Sequence, residues 1–138
     1  MLKGLSMTRK LPALTPENRA FWQGGADKEL RMHHCGECSR FFHPPAPICP
    51  RCLSEDVAPK AVSGAGKVVT FTVNHQPWHA DLKDPYVVAI VELAEQAGLR
   101  FVTNIVGMAP EDVFIDMPVS VCFEQVEDVW LPLFEKAA

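Results

Sequence analysis

The sequence predicts a mainly β protein with an N-terminal helix, a small metal-stapled ribbon and an antiparallel barrel. Two Cys-x-x-Cys pairs, at 35–38 and 49–52, are separated by ten residues, which is the spacing of a four-thiolate metal site. In the second half of the chain, apolar residues recur with the period of two that strands require. We therefore expect residues 11–28 to form a helical segment, residues 29–60 the ribbon, and residues 61–138 the barrel with a C-terminal tail.

The composition is that of one domain with a small appendage, since the chain has 138 residues and 48% of them are hydrophobic. No apolar run is long enough to span a membrane and no secretory signal pattern opens the chain, so we expect a cytoplasmic protein without membrane contact. In that reducing compartment, paired cysteines indicate metal ligands rather than disulfides. Charge divides unevenly: residues 1–60 carry nine Lys/Arg and six Asp/Glu, a net +3, and residues 61–138 carry four and eleven, a net −7.

The predicted ligands of one metal ion are Cys35, Cys38, Cys49 and Cys52. Each Cys-x-x-Cys pair forms a tight knuckle, and two facing knuckles complete a tetrahedron of thiolates, the arrangement of a rubredoxin-like zinc ribbon. Soft thiolates in a tetrahedron suit Zn²⁺, and four protein ligands leave no position open for water, so the ion is expected to be structural. Iron is the alternative. A rubredoxin knuckle usually has glycine after its second cysteine, and Ser39 and Leu53 at those positions favour zinc.

Three histidines, His33, His34 and His43, lie near the cysteines in sequence. With four thiolates available, we expect them to be exposed polar residues or donors to the metal-bound sulfurs rather than ligands. The fifth cysteine, Cys122, lies in an alternating strand. It is expected to be a buried, inert thiol, because free cysteine is among the most buried residue types.

The first helix is predicted to begin at Thr15, a good N-cap, with Pro16 in its first position, and to end at Gly24-Gly25. Its aromatic residues, Phe21 and Trp22, fit either of two roles equally well. They pack on the core of the domain, or they dock on a partner, because aromatic side chains dominate both settings.

The predicted strands cover residues 29–34, 40–43, 67–74, 86–93, 99–106 and 119–126. A turn is expected at 95–98, a turn or single helical turn at 110–112, and an extended tail at 130–134. Four or five antiparallel strands with one long connection, residues 76–85, match an OB-fold barrel in size, and an SH3-like barrel is the alternative.

Several motifs follow one another in a particular order along the chain. Phe21-Trp22 and the first knuckle are followed by Phe42-His43-Pro44-Pro45 and the second knuckle. After these come Ser63-Gly64-x-Gly66, the strand Pro85 to Leu93, Asn104 to Gly107 and Met117-Pro118-Val119. From about Leu11 to Phe134, this order closely resembles the zinc-ribbon/OB-fold family of acyl-CoA-associated proteins, long catalogued as a domain of unknown function.

Members of that family accompany thiolases of the sterol-carrier type, or aldolases and hydratases that act on CoA thioesters. The resemblance implies a non-catalytic subunit of a hetero-oligomer, which stabilises a thiolase-like or aldolase-like partner and helps to form the path of the acyl-CoA at the shared interface. Candidate contacts to the partner or to CoA are Phe21, Trp22, His75, Trp78 and Arg100. By residue type alone, Arg51, Lys67 and Lys83 are further candidates for the CoA phosphates.

Two other functions compete with this interpretation. A single-stranded nucleic-acid-binding module is compatible with both folds, but it needs a basic track with aromatic platforms, and the barrel half has a net charge of −7. A free-standing enzyme would use the connection that holds His75, Trp78, His79, Asp81 and Asp84. No nucleophile elbow, phosphate loop or triad motif accompanies that cluster in the sequence.

Overall fold

The computed structural model describes residues 10–78 and 83–138. Within these residues the chain forms one α-helix, α1 (Arg19–Gln23), and eight strands. The strands are β1 (Leu30–Cys35), β2 (Phe41–Phe42), β3 (Val57–Val62), β4 (Ala65–Asn74), β5 (Tyr86–Leu93), β6 (Arg100–Ile105), β7 (Pro118–Val126) and β8 (Val129–Lys136). Two short 3₁₀ helices, Gly24–Asp27 and Pro110–Asp112, complete the described elements. No helix in the described part of the chain is long and apolar enough to cross a membrane.

The strands form two sheets. A three-stranded antiparallel sheet has the order β2-β1-β3, and the other five strands close into a barrel in the order β4-β5-β6-β8-β7. Barrel neighbours are antiparallel except β6 and β8, which run parallel and pair at Ile105 and Phe134. A closed five-stranded barrel of this kind confirms the predicted OB-fold.

The start of the first helix differs slightly from the prediction. Thr15 does cap a helical turn: its Oγ1 accepts a hydrogen bond from Asn18 N at 3.2 Å, and Asn18 Oδ1 accepts one from Thr15 N at 2.7 Å. The regular α-helix begins only at Arg19. It ends before Gly24, as predicted, but the chain then continues as a 3₁₀ turn that Lys28 closes in the left-handed conformation, with φ of 59°.

Two strands were not apparent from the sequence. Strand β3 pairs with β1 at six positions, yet its four central residues are all exposed, so it shows no apolar period. Strand β8 occupies the segment expected to be an extended tail, and it pairs with β7 at eight positions. Proline has no backbone N–H to donate to a neighbouring strand. Pro132 is tolerated in β8 because β6, the neighbour on the other side, pairs with β8 at Phe134 and not at Pro132.

One core joins the ribbon to the barrel. Phe21 of the helix and Leu30 and Met32 of β1 belong to the same buried cluster as barrel residues such as Val91 and Phe134. The far end of the ribbon has a separate and much smaller cluster, built on Cys35, Phe42 and Cys49. So small a cluster needs a metal to hold its shape, whereas the base of the ribbon is fixed by the barrel core.

Candidate metal centre and apolar groove

The four predicted ligand thiols lie together at the end of the ribbon, with their sulfur atoms within 4.8 Å of one another. The Sγ atoms of Cys35 and Cys52 are 3.6 Å apart, and those of Cys38 and Cys49 are 3.7 Å apart. A tetrahedron with metal–sulfur bonds of about 2.3 Å has sulfur–sulfur edges of about 3.8 Å. The two measured distances match such edges, and all four sulfurs lie close enough together to form a site for one metal ion.

The two knuckles fold alike. In each, the residue after the second cysteine donates its backbone N–H to the carbonyl of the first: Ser39 to Cys35 at 3.0 Å, and Leu53 to Cys49 at 2.9 Å. Ser39 and Leu53 have φ of 60° and 64°, the left-handed conformation that glycine adopts most easily. Because these residues take that backbone anyway, the missing glycines do not distinguish zinc from iron.

The backbone also prepares the first sulfur of each knuckle for a metal. The N–H of Cys38 donates to the Sγ of Cys35 at 3.4 Å, and this bond lowers the pKa of the Cys35 thiol. The corresponding N–H of Cys52 is the main cause that lowers the pKa of Cys49 to about 6. Hydrogen bonds to sulfur favour the thiolate, which is the form that binds metal.

The three histidines lie outside the four-sulfur cluster and pack on aromatic rings. The ring of His33 packs edge-on against Phe42 with centroids 5.6 Å apart. Only 8% of its surface is exposed, so the first of its two expected roles, an exposed polar residue, is wrong, and the role of a donor to the sulfurs stays a prediction. The ring of His43 packs against the rings of Phe21 and Phe101, with centroid separations of 4.8 and 5.6 Å. Loss of hydration on burial lowers the pKa of both His33 and His43.

A groove of about 350 Å³ opens on the outside of the barrel, between α1 and strands β5, β6 and β8. We call it the Trp22 groove. The described residues that line it are Phe21, Trp22, Tyr86, Val88, Phe101, Val102, Thr103, Asn104, Leu131, Pro132 and Leu133. None of these residues carries a charge, and most are apolar, which is typical of a binding pocket rather than a catalytic one.

The barrel topology explains why a groove exists here. Strands β6 and β8 are paired only at Ile105 and Phe134, so they separate before that point. The hydroxyl of Thr103 spans the gap and donates to the carbonyl of Pro132 at 2.9 Å. Trp22, held edge-on against Phe21 with ring centroids 4.8 Å apart, forms a wall of the groove.

The predicted contact residues are not gathered in one place. Both Phe21 and Trp22 line the groove, but Phe21 is 5% exposed and belongs to the core, whereas Trp22 is only partly buried. Trp78 is 69% exposed, and its Nε1 donates to Asn74 Oδ1 at 3.0 Å. His75 is exposed at the end of β4, and Arg100 does not line the groove.

The cations suggested for the CoA phosphates are dispersed as well. Arg100 forms an ion pair with Glu92 at 2.7 Å, and Lys67 lies 3.9 Å from Asp116. Arg51 and Lys83 are exposed. His79 and Asp81, which belong to the connection considered for a free-standing enzyme, lie outside the described residues.

Sequence reasoning did not single out Tyr86, Val88 or Val102, although one signal was present. The run Tyr86–Leu93 is apolar at nearly every position, which indicates a buried central strand. In the barrel, every second residue of β5 is buried and the others, including Tyr86 and Val88, point outward. In an antiparallel barrel, an apolar outward row is a sign of a binding surface.

Cys122 lies outside the metal site and is only partly buried. Burial raises its pKa to about 11, and the carboxylates of Glu135 and Glu124 add to the effect. A thiol with so high a pKa is almost entirely protonated at neutral pH, which fits the expected inert side chain.

Two family models match adjoining parts of the chain. The model described as ChsH2, rubredoxin-like zinc ribbon domain, matches residues 22–58. The model described as ChsH2, C-terminal OB-fold domain, matches residues 59–124. Together they cover the ribbon and most of the barrel.

Individual relatives agree with these matches. A DUF35 domain-containing scaffold protein of Methanocaldococcus jannaschii is 38% identical over 96 residues, which are 68% of this chain and 67% of that protein. A probable enoyl-CoA hydratase alpha subunit of Thermomonospora curvata is 38% identical over 130 residues, or 94% of this chain. The match spans only 40% of the hydratase subunit's length.

A solved structure points to the same family. A chain of the Ltp2-ChsH2(DUF35) aldolase superposes with a TM-score of 0.82 and 37% identity, covering 93% of this chain and all of that one. Two domain models match adjoining parts of the chain, and the DUF35 scaffold protein and the solved structure are matched over 67% and 100% of their length, so the chain belongs to the ChsH2 (DUF35) family of zinc-ribbon and OB-fold proteins.

Proposed function

We propose that this chain is a non-catalytic accessory subunit of a complex that acts on acyl-CoA thioesters. Its catalytic partner is a thiolase-like, aldolase-like or hydratase-like protein, which it stabilises and whose CoA path it helps to form. The observation that carries this proposal is the likeness over 93% of the chain to a subunit of the Ltp2-ChsH2(DUF35) aldolase. The hydratase alpha subunit relative supports the same class of substrate.

The chemistry of the described residues supports a non-catalytic role. The four thiolates of the metal site fill a tetrahedron and leave no position for a substrate. The residues that line the Trp22 groove are uncharged, so they offer no acid–base pair. The thiol of Cys122 is held in its protonated form.

We propose Zn²⁺ as the resident ion. The thiolate ligand set, the tetrahedral spacing of the sulfurs and the match to a zinc ribbon domain all support zinc. Its role would be to hold the end of the ribbon, where the apolar cluster is too small to do so. Elemental analysis of the purified protein tests this assignment, and one equivalent of iron with visible thiolate-to-iron absorption would contradict it.

Contact between the partner and the predicted residues remains a proposal, and their exposure and existing interactions indicate which of them can make it. Trp22, His75 and Trp78 have surface available for contact, whereas Phe21 supports Trp22 from beneath. Arg100 is already paired with Glu92, so we propose that the partner supplies most contacts to the CoA phosphates.

The nucleic-acid alternative is less well supported. In OB-folds that bind oligonucleotides, the surface of the second and third barrel strands receives the bases. Here those strands are β5 and β6, and the groove beside them is lined by uncharged residues in a barrel half of net charge −7. Phosphate binding needs cations, and the single cation on these two strands, Arg100, is already paired with Glu92.

The proposal is tested by purifying the tagged chain from its native host and assaying acyl-CoA thioesters. We expect co-purification of an acyl-CoA-processing subunit, with activity present in the complex and absent from the isolated chain. Turnover by the isolated chain would show that it is an enzyme, and co-purified nucleic acid would favour the alternative.

A further inference from the structure

We propose that the Trp22 groove receives a large apolar side chain of the catalytic partner, and that basic residues flank this side chain on the partner. The inference rests on the proposed function, because it assigns a docking surface for the partner. The partner is identified here only by chemistry: an apolar anchor in a basic surround.

The outward face of the barrel beside the groove is more apolar than a solvated sheet should be. Strands that face water on one side alternate apolar with polar residues. In β5 and β6, the outward positions include Val88, Ile90 and Val102, and the last two are cross-strand partners. Val102 is 65% exposed, so the apolar surface extends from the groove onto the sheet.

The groove suits an apolar group rather than a polar one. Two of its polar lining side chains are satisfied within the protein: Thr103 donates to the carbonyl of Pro132, and the amide of Asn104 donates to the carbonyl of Val87 at 2.7 Å. An occupant therefore gains mainly by packing against Trp22 and its neighbours. Large side chains in such desolvated pockets carry most of the energy of protein–protein association.

Charge at the edge of the groove favours a basic surround. The turn between β7 and β8 exposes Glu127 and Asp128. This turn lies beside the helix, because Gln23 Nε2 donates to the carbonyl of Asp128 at 3.1 Å. The exposed Arg19 lies one helical turn before Trp22 and offsets one of these two charges, so a single negative charge remains in excess beside the helix. Complementary basic residues on the partner would steer association and fix its register.

The first experiment places a photo-crosslinking residue, p-benzoylphenylalanine, at Val102 in the complex purified from the host. The control places it at Phe114, which is 51% exposed but does not line the groove. We expect position 102, and not position 114, to crosslink to the catalytic subunit. The crosslinked peptide should contain a large apolar residue with lysine or arginine beside it.

The second experiment measures affinity for the same partner. Val102→Asp should weaken the complex by about 30-fold, as for a central interface residue, while Phe114→Asp changes it by less than about twofold. Val102 is on the surface, so its substitution should leave folding intact. Added salt should weaken the wild-type complex, and the double variant Glu127→Gln/Asp128→Asn should be less sensitive to salt.

Several results would overturn the inference while leaving the proposed function standing. These are an intact complex without a crosslink from position 102, a crosslink to a second copy of this chain, or unchanged affinity of the Val102→Asp variant. Protection of position 102 by acyl-CoA in the absence of the partner would assign the groove to the ligand instead. Failure to recover any acyl-CoA-processing partner with the wild-type chain would count against the proposed function itself.

Discussion

The Sγ of Cys35 lies 3.6 Å from the Sγ of Cys52, although seventeen positions separate the two residues. Each knuckle therefore meets the other through sulfur atoms rather than through a packed core. The apolar contacts at this end are limited to Phe42 and its few neighbours in the small cluster. A bound metal ion supplies what these contacts lack.

Removing the metal should therefore unfold the end of the ribbon first. From the sequence, residues 30–53 are expected to lose structure first. In the structure Leu30 and Met32 are held in the main core, so we expect the segment that unfolds first to be residues 35–56. Hydrogen exchange after chelation should show lost protection there and retained protection in β5. Cys38→Ser should act like chelation and Cys122→Ser should not. Protection of residues 35–56 without metal would contradict this prediction.

A substitution at Gly25 should loosen the attachment of the helical segment to the barrel. A Cβ on Gly25 would lie 2.7 Å from Phe123 Cδ1 and would also collide with the side chain of Trp130. We expect Gly25→Ala to lower the free energy of unfolding by about 1–3 kcal/mol, the usual cost of overpacking. Denaturant unfolding of the metal-loaded protein provides the measurement.

Gly98 offers a matched control for that substitution. Nothing lies within 4 Å of a Cβ at Gly98, but its φ is 83°. Gly98→Ala should therefore cost only the backbone strain of about 1–2 kcal/mol. If Gly25→Ala has no effect on stability, the helix is not packed as tightly on Phe123 and Trp130 as the structure indicates.

The metal site and most barrel strands were predictable because local patterns encode them. Cysteine spacing determines a knuckle, and the nearly continuous apolar run Tyr86–Leu93 gives a strand whose bounds match the prediction. Strand β3 was missed because its four central residues are exposed and therefore show no apolar period. Pro132 obscured β8, since a proline is tolerated there only through the topology of its neighbours.

The groove was not predictable for a different reason. It depends on which outward residues of β5, β6 and β8 come together, and on Trp22 from a distant helix. The sequence left Phe21 and Trp22 undecided between core and interface. In the structure both residues line the groove, but Phe21 is buried in the core and Trp22 stays partly exposed, because adjacent helical residues point in different directions.

Stability should fall as the pH drops below about 6.5. Burial against Phe21 and Phe101 lowers the pKa of His43 in the folded protein. Above the unfolded-state pKa of about 6.5 both states are neutral, whereas below it only the unfolded state takes up the proton, which favours unfolding. His33 contributes in the same direction.

The variant His43→Phe should reduce this dependence. Unfolding free energies measured between about pH 5.5 and 7.5, with saturating metal, should fall less steeply with acid in His43→Phe than in the wild type. His75→Gln, a change at an exposed position, is the control. Equal slopes for the wild type and His43→Phe would show that His43 does not resist protonation in the folded state.

Neutralising Glu124 should stabilise the isolated chain. Only 8% of Glu124 is exposed, and neither carboxylate oxygen has a hydrogen-bond partner within the described residues. A buried polar group without a partner costs about 1–3 kcal/mol. Glu124→Gln removes the charge but leaves a polar amide at the same place, so it should raise the free energy of unfolding by only part of that amount.

The exposed Glu127 provides the control for that measurement. Glu127→Gln should change stability by less than about 0.5 kcal/mol, as surface substitutions usually do. A second readout is the thiol of Cys122, whose pKa Glu124 helps to raise. In Glu124→Gln, Cys122 should ionise at a lower pH than in the wild type. A destabilised Glu124→Gln protein would mean that the carboxylate has a partner after all.

Trp78→Ala should separate assembly from folding. The indole is 69% exposed and is tied to the barrel by its hydrogen bond to Asn74, so its removal exposes no core and should change stability by less than about 0.5 kcal/mol. If Trp78 anchors the partner or flanks the CoA arm, the variant should bind the partner about tenfold more weakly or lower the substrate affinity of the complex. Titration of the partner and steady-state assays measure both quantities.

Leu53→Ala, at a residue 73% exposed in the ribbon, is the control for loss of exposed apolar surface. Unchanged assembly and substrate affinity in Trp78→Ala would remove this residue from the interface.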